Sequence, residues 1–251
     1  MHEYLSKVLA NQAKAVKVAS NATIYVNTHS SKLEDNPLLR AKHIKSKQVF
    51  ADPVTGNVVA RTGLEMNDGK VAYASTRLKV VHGGITELEM TFDDSPRVVA
   101  SYVTFLDPIF TTIVPPDERM SREQLKAVVE RYFQGLTDHQ PIAADYDERC
   151  DRYHSGQRVT NNARNTVEGG GPKNCFDANN GPRPWGPATN ISVPLVDPEH
   201  GIVLGYTLLL YKDDNASMYV CEVFKILDGK VRMIDNIAIK SPEMQAVSFS
   251  K

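Results

Sequence analysis

The chain is short of most features that would announce a chemistry. Its 29 Lys and Arg residues nearly balance 30 Asp and Glu, a formal net charge of −1. No field of one sign exists to hold a polyanion, so no nucleic acid partner is expected. No apolar run approaches the ~20 residues that a spanning helix needs. The first residues show no charged-then-apolar leader pattern, so no membrane association is expected either. Cysteine is scarce: Cys150, Cys175 and Cys221 are odd in number and lack metal-type pairing at short spacing. That suits a reducing cytoplasm, whereas a Cys150–Cys175 disulfide would call for an oxidising compartment. The glycine fingerprint of dinucleotide folds, the phosphate-binding loop, His-Glu-x-x-His, the serine elbow and Cys-x-x-Cys are all missing. The expectation is therefore no cofactor and no metal.

What is present is a repeat. Asp52-Pro53-Val54-Thr55-Gly56 returns as Asp197-Pro198-Glu199-His200-Gly201, an offset of 197 − 52 = 145 residues. After one inserted residue, Lys79-Val80-Val81-His82-Gly83-Gly84-Ile85 matches Lys225-Ile226-Leu227-Asp228-Gly229-Lys230-Val231, and Ser95-Pro96 matches Ser241-Pro242. A chain of 251 residues has room for two domains. Each copy should be one folding unit. The boundaries expected are 1–105, a linker at 106–120 containing Pro108, Pro115 and Pro116, and 121–251.

Both copies read as a helix followed by strands. Ser121 with Gln124 forms a capping box, and Leu125, Val128, Val129, Tyr132, Phe133 and Leu136 make one apolar stripe. Tyr4, Leu5, Val8 and Leu9 make a shorter one. Strands are expected at 47–51, 57–66, 70–81 and 85–92, then at 191–196, 202–211, 217–227 and 231–239, joined by turn sequences. The class is α+β with antiparallel meanders. The stretch 155–190 is too long and too rich in Gly, Pro and Asn for an ordinary connection, which suggests a functional loop.

Strand alternation singles out carboxylates. Glu222 shares a face with Met218, Val220, Phe224 and Ile226; Asp235 shares one with Val231, Met233, Ile237 and Ile239. A carboxylate on an apolar face is costly unless protonated, paired or hydrogen-bonded. Two such groups on neighbouring strands suit acid–base work, and core ion pairing with Arg or Lys is the structural alternative. Thr76 takes the place of Glu222 in the first copy. Glu89 takes that of Asp235 but lies on a polar face with Ile85, Glu87 and Thr91. The C-terminal copy is thus the expected active one.

On a further strand, Arg152 could hold an anionic oxygen and His154 could move a proton near neutral pH, while Asp151 and Tyr153 face the other way. Tyr206, among Leu204, Leu208 and Leu210, needs a partner for its hydroxyl. Trp185, the single tryptophan, and Asn161 with Asn162 frame the long loop. His43, near Arg40 and Lys42, is a candidate for a first-copy pocket. Tyr73, Arg77 and Lys79 share an outer face, which suggests association and a homo-oligomer.

An amphipathic helix, a strand bearing Arg152, a Trp-bearing loop and a four-strand meander with Asp-Pro-x-x-Gly resemble the SnoaL-like members of the nuclear-transport-factor-two-like superfamily. The resemblance covers about 117–251 well and 47–96 in its strands. It implies two tandem cone-shaped α+β barrel units with curved antiparallel sheets and an internal pocket. It also implies cofactor-free chemistry, with Asp235, Glu222, His154, Arg152 and Tyr206 matching the family's acid–base residues by type and strand. From the residues themselves, Trp185, Asn161, Tyr153 and His43 are the candidates for substrate binding. The expected activity is a lyase, removing formaldehyde or water from a small hydroxylated aromatic molecule such as a lignin-derived diaryl diol. The alternatives are an isomerase or cyclase on a polycyclic substrate, and a non-catalytic ligand-binding domain.

Overall fold

In the computed structural model the chain divides between Leu106 and Asp107 into two units. The structure describes residues 1–100, 107–138, 141–162, 171–180, 185–212 and 216–241; at 137, 138, 185, 187 and 241 it describes the backbone alone.

The first unit opens with α1 (His2–Leu9), followed by β1 (Val18–Val26), the short β2 (His29–Ser30), β3 (Ala41–Asp52), β4 (Asn57–Met66), β5 (Val71–Val81) and β6 (Gly84–Asp93). The second has α2 (Arg122–Asp138), β7 (Tyr146–His154), the short β8 (Gln157–Arg158), α3 (Cys175–Asn179), β9 (Trp185–Asp197), β10 (Ile202–Tyr211), β11 (Ser217–Leu227) and β12 (Lys230–Ser241). The sheet orders are β2-β1-β6-β5-β4-β3 and β8-β7-β12-β11-β10-β9, so the repeat is a repeat of topology. The α+β class in two tandem units holds. The sheets are mixed rather than wholly antiparallel, because β1 joins β6 and β7 joins β12 in parallel. A parallel neighbour needs a long crossover, and adjacent turn signals reveal only the hairpins.

The doubled Asp-Pro-x-x-Gly has a local reason in each copy. The Asp52 carboxylate accepts from the Val54 and Thr55 amides, and that of Asp197 from the Glu199 and His200 amides. The closing glycines, Gly56 and Gly201, have φ of 73° and 59°. Their carbonyls accept from Val80 and Ile226 on the next strand at 2.9 and 2.8 Å. A Cβ at either position would run into the carbonyl oxygen of that same partner, so the motif needs glycine for both backbone conformation and space.

The helices cover one face of each sheet. The α1 stripe Tyr4, Leu5 and Val8 packs with Leu64, Ala72, Leu78 and Met90. The α2 stripe packs with Val203, Val220, Phe224, Ile226 and Ile234. Its N-terminus carries the expected box: Gln124 N–H donates to Ser121 Oγ at 3.2 Å, and Ser121 N–H to Gln124 Oε1 at 2.8 Å. Gly205 lets α2 approach, since a Cβ there would lie 2.7 Å from Phe133 and 2.8 Å from Val129.

Two expectations change here. The segment read as a linker is packed against the second unit from Asp107 onward. Phe110 and Val114 are buried, Val114 N–H donates to Glu199 O at 2.8 Å, and Lys225 Nζ bonds the Thr112 and His200 carbonyls, each at 2.5 Å. Prolines marked the segment as irregular but not as unpacked. Cys150 and Cys175 form a disulfide, leaving Cys221 as a buried thiol. The odd cysteine count therefore no longer argues for a reducing cytoplasm, since disulfides persist in oxidising compartments. Among the described residues no helix is long and apolar enough to cross a membrane.

Candidate functional site

Register decides which side chains meet in the second unit. Glu222 on β11 stands opposite Asn236 on β12, which stands opposite His154 on β7; Ile234 likewise stands opposite Arg152. Residues paired across strands share a face. Arg152, His154, Asn236 and Glu222 therefore lie on the face that α2 covers, together with the core residues Val220, Phe224 and Ile234.

Glu222 is wholly buried and doubly held. Its Oε1 accepts from the Tyr132 hydroxyl at 3.1 Å and lies 3.2 Å from an Arg152 guanidinium nitrogen. Arg152 also donates to Asn179 Oδ1 at 2.8 Å, and the Asn179 amide donates to the Tyr146 hydroxyl at 3.2 Å. Burial pushes the Tyr132 phenol well above its ordinary pKa, and the Tyr146 phenol upward too. Both stay protonated near neutrality, so Tyr132 remains a donor to Glu222. The disulfide ties α3 to β7, placing Asn179 over Arg152. Aromatic rings line this end: Tyr132 against Phe224 with centroids 4.8 Å apart, and Tyr146 against Phe176 at 5.8 Å. His154 is half-buried, and Asn236 is 1% exposed.

Of the five expected acid–base residues, three share this face: Glu222, Arg152 and His154. Asp235 and Tyr206 do not. A register irregularity between Lys225 and Ile226 leaves Val231 opposite Ile226 in the core but turns Met233 and Asp235 to the opposite side, where Asp235 faces Val223 and Tyr153. Alternation within one strand cannot reveal a bulge in its pairing, and one extra residue flips every side chain beyond it. Tyr206 is buried on that same far side, stacked on Tyr219 with centroids 5.6 Å apart.

The expected binding residues scatter. Tyr153 is on the far face and donates to Asp107 at 3.3 Å; burial, then the Asp107 charge, raises its pKa. Asn161 is exposed and donates to Asp151 at 2.9 Å, in a turn that also joins Arg158 and Thr160 to Asp151. Trp185 opens β9 with its backbone, and its side chain lies outside the described residues, as do 163–170 and 181–184 of the long loop. His43 is exposed on β3 of the first unit and lines neither the cavity of about 150 Å³ beneath α1 nor the one of about 190 Å³ beside Arg40 and Met66. Glu89 is buried on the face away from α1, 3.2 Å from Arg77.

Sequence reasoning missed Tyr132, Tyr146, Asn179 and Asn236. A tyrosine in a helix stripe otherwise built of Leu, Val and Phe was the available signal, because a buried hydroxyl needs a partner. Among the described residues no group of His, Cys, Asp and Glu is placed to hold a metal.

Residues 118–238 match a family model described as a domain of unknown function, DUF8021. No curated protein matches the chain. Similar solved structures include a proposed ketosteroid isomerase from Kribbella flavida, 18% identical, covering 47% of this chain and 80% of its own, at a TM-score of 0.35. An epoxide hydrolase of the LEH-like kind from M. tuberculosis is 16% identical over 47% of this chain and 84% of its own, at 0.32. An NTF-2 like protein of unknown function from Burkholderia xenovorans is 17% identical over 51% and 90%, at 0.33.

Proposed function

We propose that the second unit is a cofactor-independent lyase acting on a small hydroxylated aromatic molecule, with His154 as the proton acceptor. The observation that supports this reading is the gathering of His154, Arg152 and Glu222 on one face of the sheet, next to the packed rings of Tyr132 and Phe224. Glu222 already serves Tyr132 and Arg152, so it is poorly placed to act as base. Its charge instead orients the guanidinium, and Asn179 fixes a second edge of it. The oxygen that gains charge as His154 removes a proton is balanced by the imidazolium formed in the same step, with the held guanidinium edge as a hydrogen-bond donor beside it. In loss of water, His154 takes a C–H proton, the double bond forms as the neighbouring C–O bond breaks, and the proton returns to the departing hydroxide. In loss of formaldehyde, His154 takes the proton of a hydroxymethyl group, its C–C bond breaks to form a double bond with expulsion of the other hydroxyl, and that hydroxide takes the proton as water. A diaryl diol of lignin type is the specific substrate proposed. Isomerisation of a ketone would use the same groups.

The test is turnover of a panel of aryl diols and an unsaturated ketone by His154→Gln, Asp235→Asn and Tyr206→Phe variants. The His154 variant should lose about 10²–10⁴-fold, the usual worth of a positioned acid–base group. The other two should keep wild-type rates within a fewfold. Unchanged turnover without His154 would refute the assignment. Turnover of the ketone alone would select the isomerase. A non-catalytic binding domain is favoured by the double locking of Glu222, and tight binding of a diol without turnover would select it.

A further inference from the structure

We propose that Asn236 reads a hydroxyl group of the ligand and that the ligand is electrically neutral. The proposal rests on the interior of the second unit being the ligand site. Asn236 sits between Glu222 and His154 in the cross-strand row, 1% exposed, on the face that α2 covers. Its side-chain Oδ1 is buried with no hydrogen-bond partner. Leaving such an atom unsatisfied is unfavourable, and native proteins keep few of them.

Three arguments narrow the partner. An acceptor oxygen requires a donor, and turning the amide over would present N–H groups that require an acceptor. A hydroxyl serves as both, so it satisfies Asn236 in either orientation. The neighbouring cation does not ask for an anion, because the buried Glu222 carboxylate already balances Arg152 at 3.2 Å. A carboxylate or phosphate ligand would add an uncompensated charge beside Glu222 in a low-dielectric interior. Finally, neighbouring strands lie about 5 Å apart and Asn236 and His154 are level on the parallel pair β12 and β7, so a hydroxyl on Asn236 is within reach of the His154 ring. The hydroxyl that Asn236 holds is then the group whose proton, or whose adjacent C–H proton, His154 takes.

The experiment is calorimetric binding of 1-phenylethane-1,2-diol, its dimethyl ether and mandelate to the full chain, comparing wild type with Asn236→Leu and Asn236→Ser. The wild type should prefer the diol over both the ether and the anion. The Leu variant should lose about 10–100-fold in diol affinity, the worth of one buried hydrogen bond left unmade. Its affinity for the ether should not fall. Its thermal stability should equal or exceed that of the wild type, because an unsatisfied polar atom has been replaced by an apolar side chain of similar shape. Equal diol binding by the variants, mandelate binding as tight as diol binding, no binding of the diol, or a marked loss of stability in both variants would each overturn the proposal. Turnover by His154→Gln is scored separately. If binding behaves as stated and that variant turns over normally, the catalytic reading fails while the hydroxyl-reading residue stands.

Discussion

Removing the Cys150–Cys175 disulfide is the perturbation whose size follows most directly from the structure. The bridge closes a loop with a sequence separation of 25. The chain-entropy relation then gives about 3.5 kcal/mol of stabilisation at 25 °C through restriction of the unfolded state. The bridge has a local duty as well. Cys150 is two residues before Arg152 on β7, and Cys175 is four residues before Asn179 on α3. A five-residue helix has no stability of its own, so α3 depends on its attachment to β7. Losing it removes the Asn179 contact that fixes Arg152. A Cys150→Ser/Cys175→Ser variant should therefore unfold at lower denaturant, with a slope at least as steep because its unfolded chain exposes more surface, and be less stable by about 2–4 kcal/mol. It should also bind ligand more weakly. Thiol counting on the oxidised native protein should find one reactive group after unfolding, from Cys221. Three such groups, or an unchanged unfolding midpoint in the double variant, would refute the reasoning.

Other outcomes follow from single contacts. Glu222→Gln or Arg152→Met alone should cost about 3–5 kcal/mol, because each strands a buried charge, whereas the double substitution should cost much less than their sum; denaturation of the four proteins completes the cycle, and additivity would deny the pair. Burial lowers the Lys225 pKa from 10.5 to about 8, against the opposing pull of Asp197. Between those values the unfolded chain holds the proton and the folded one does not, so stability should rise by about 1–2 kcal/mol as pH climbs from 8 to 10. The neutral amine keeps two N–H groups for the Thr112 and His200 carbonyls, and Lys225→Met should abolish the rise. Gly205→Ala should cost about 1–3 kcal/mol by forcing α2 away from β10, read as a lower melting temperature. An unchanged melting temperature would show that α2 is not seated there.

Local rules reach as far as local physics does. The sequence by itself determined the repeat, the α2 box and stripe, the hairpin strands and the burial of Glu222, because capping, turn conformation and side-chain alternation act between near neighbours. It also placed Arg152 and His154 on one face of one strand, which alternation alone dictates. Tertiary structure decided the remainder. The parallel docking of β7 beside β12 set Arg152 against Glu222, and no turn sequence announces that pairing. The register shift after Lys225 sent Asp235 to the far face and brought Asn236 inside. A disulfide across a long loop carried Asn179 to Arg152. Each depends on residues far apart in sequence, where alternation within one strand carries no information about its neighbour.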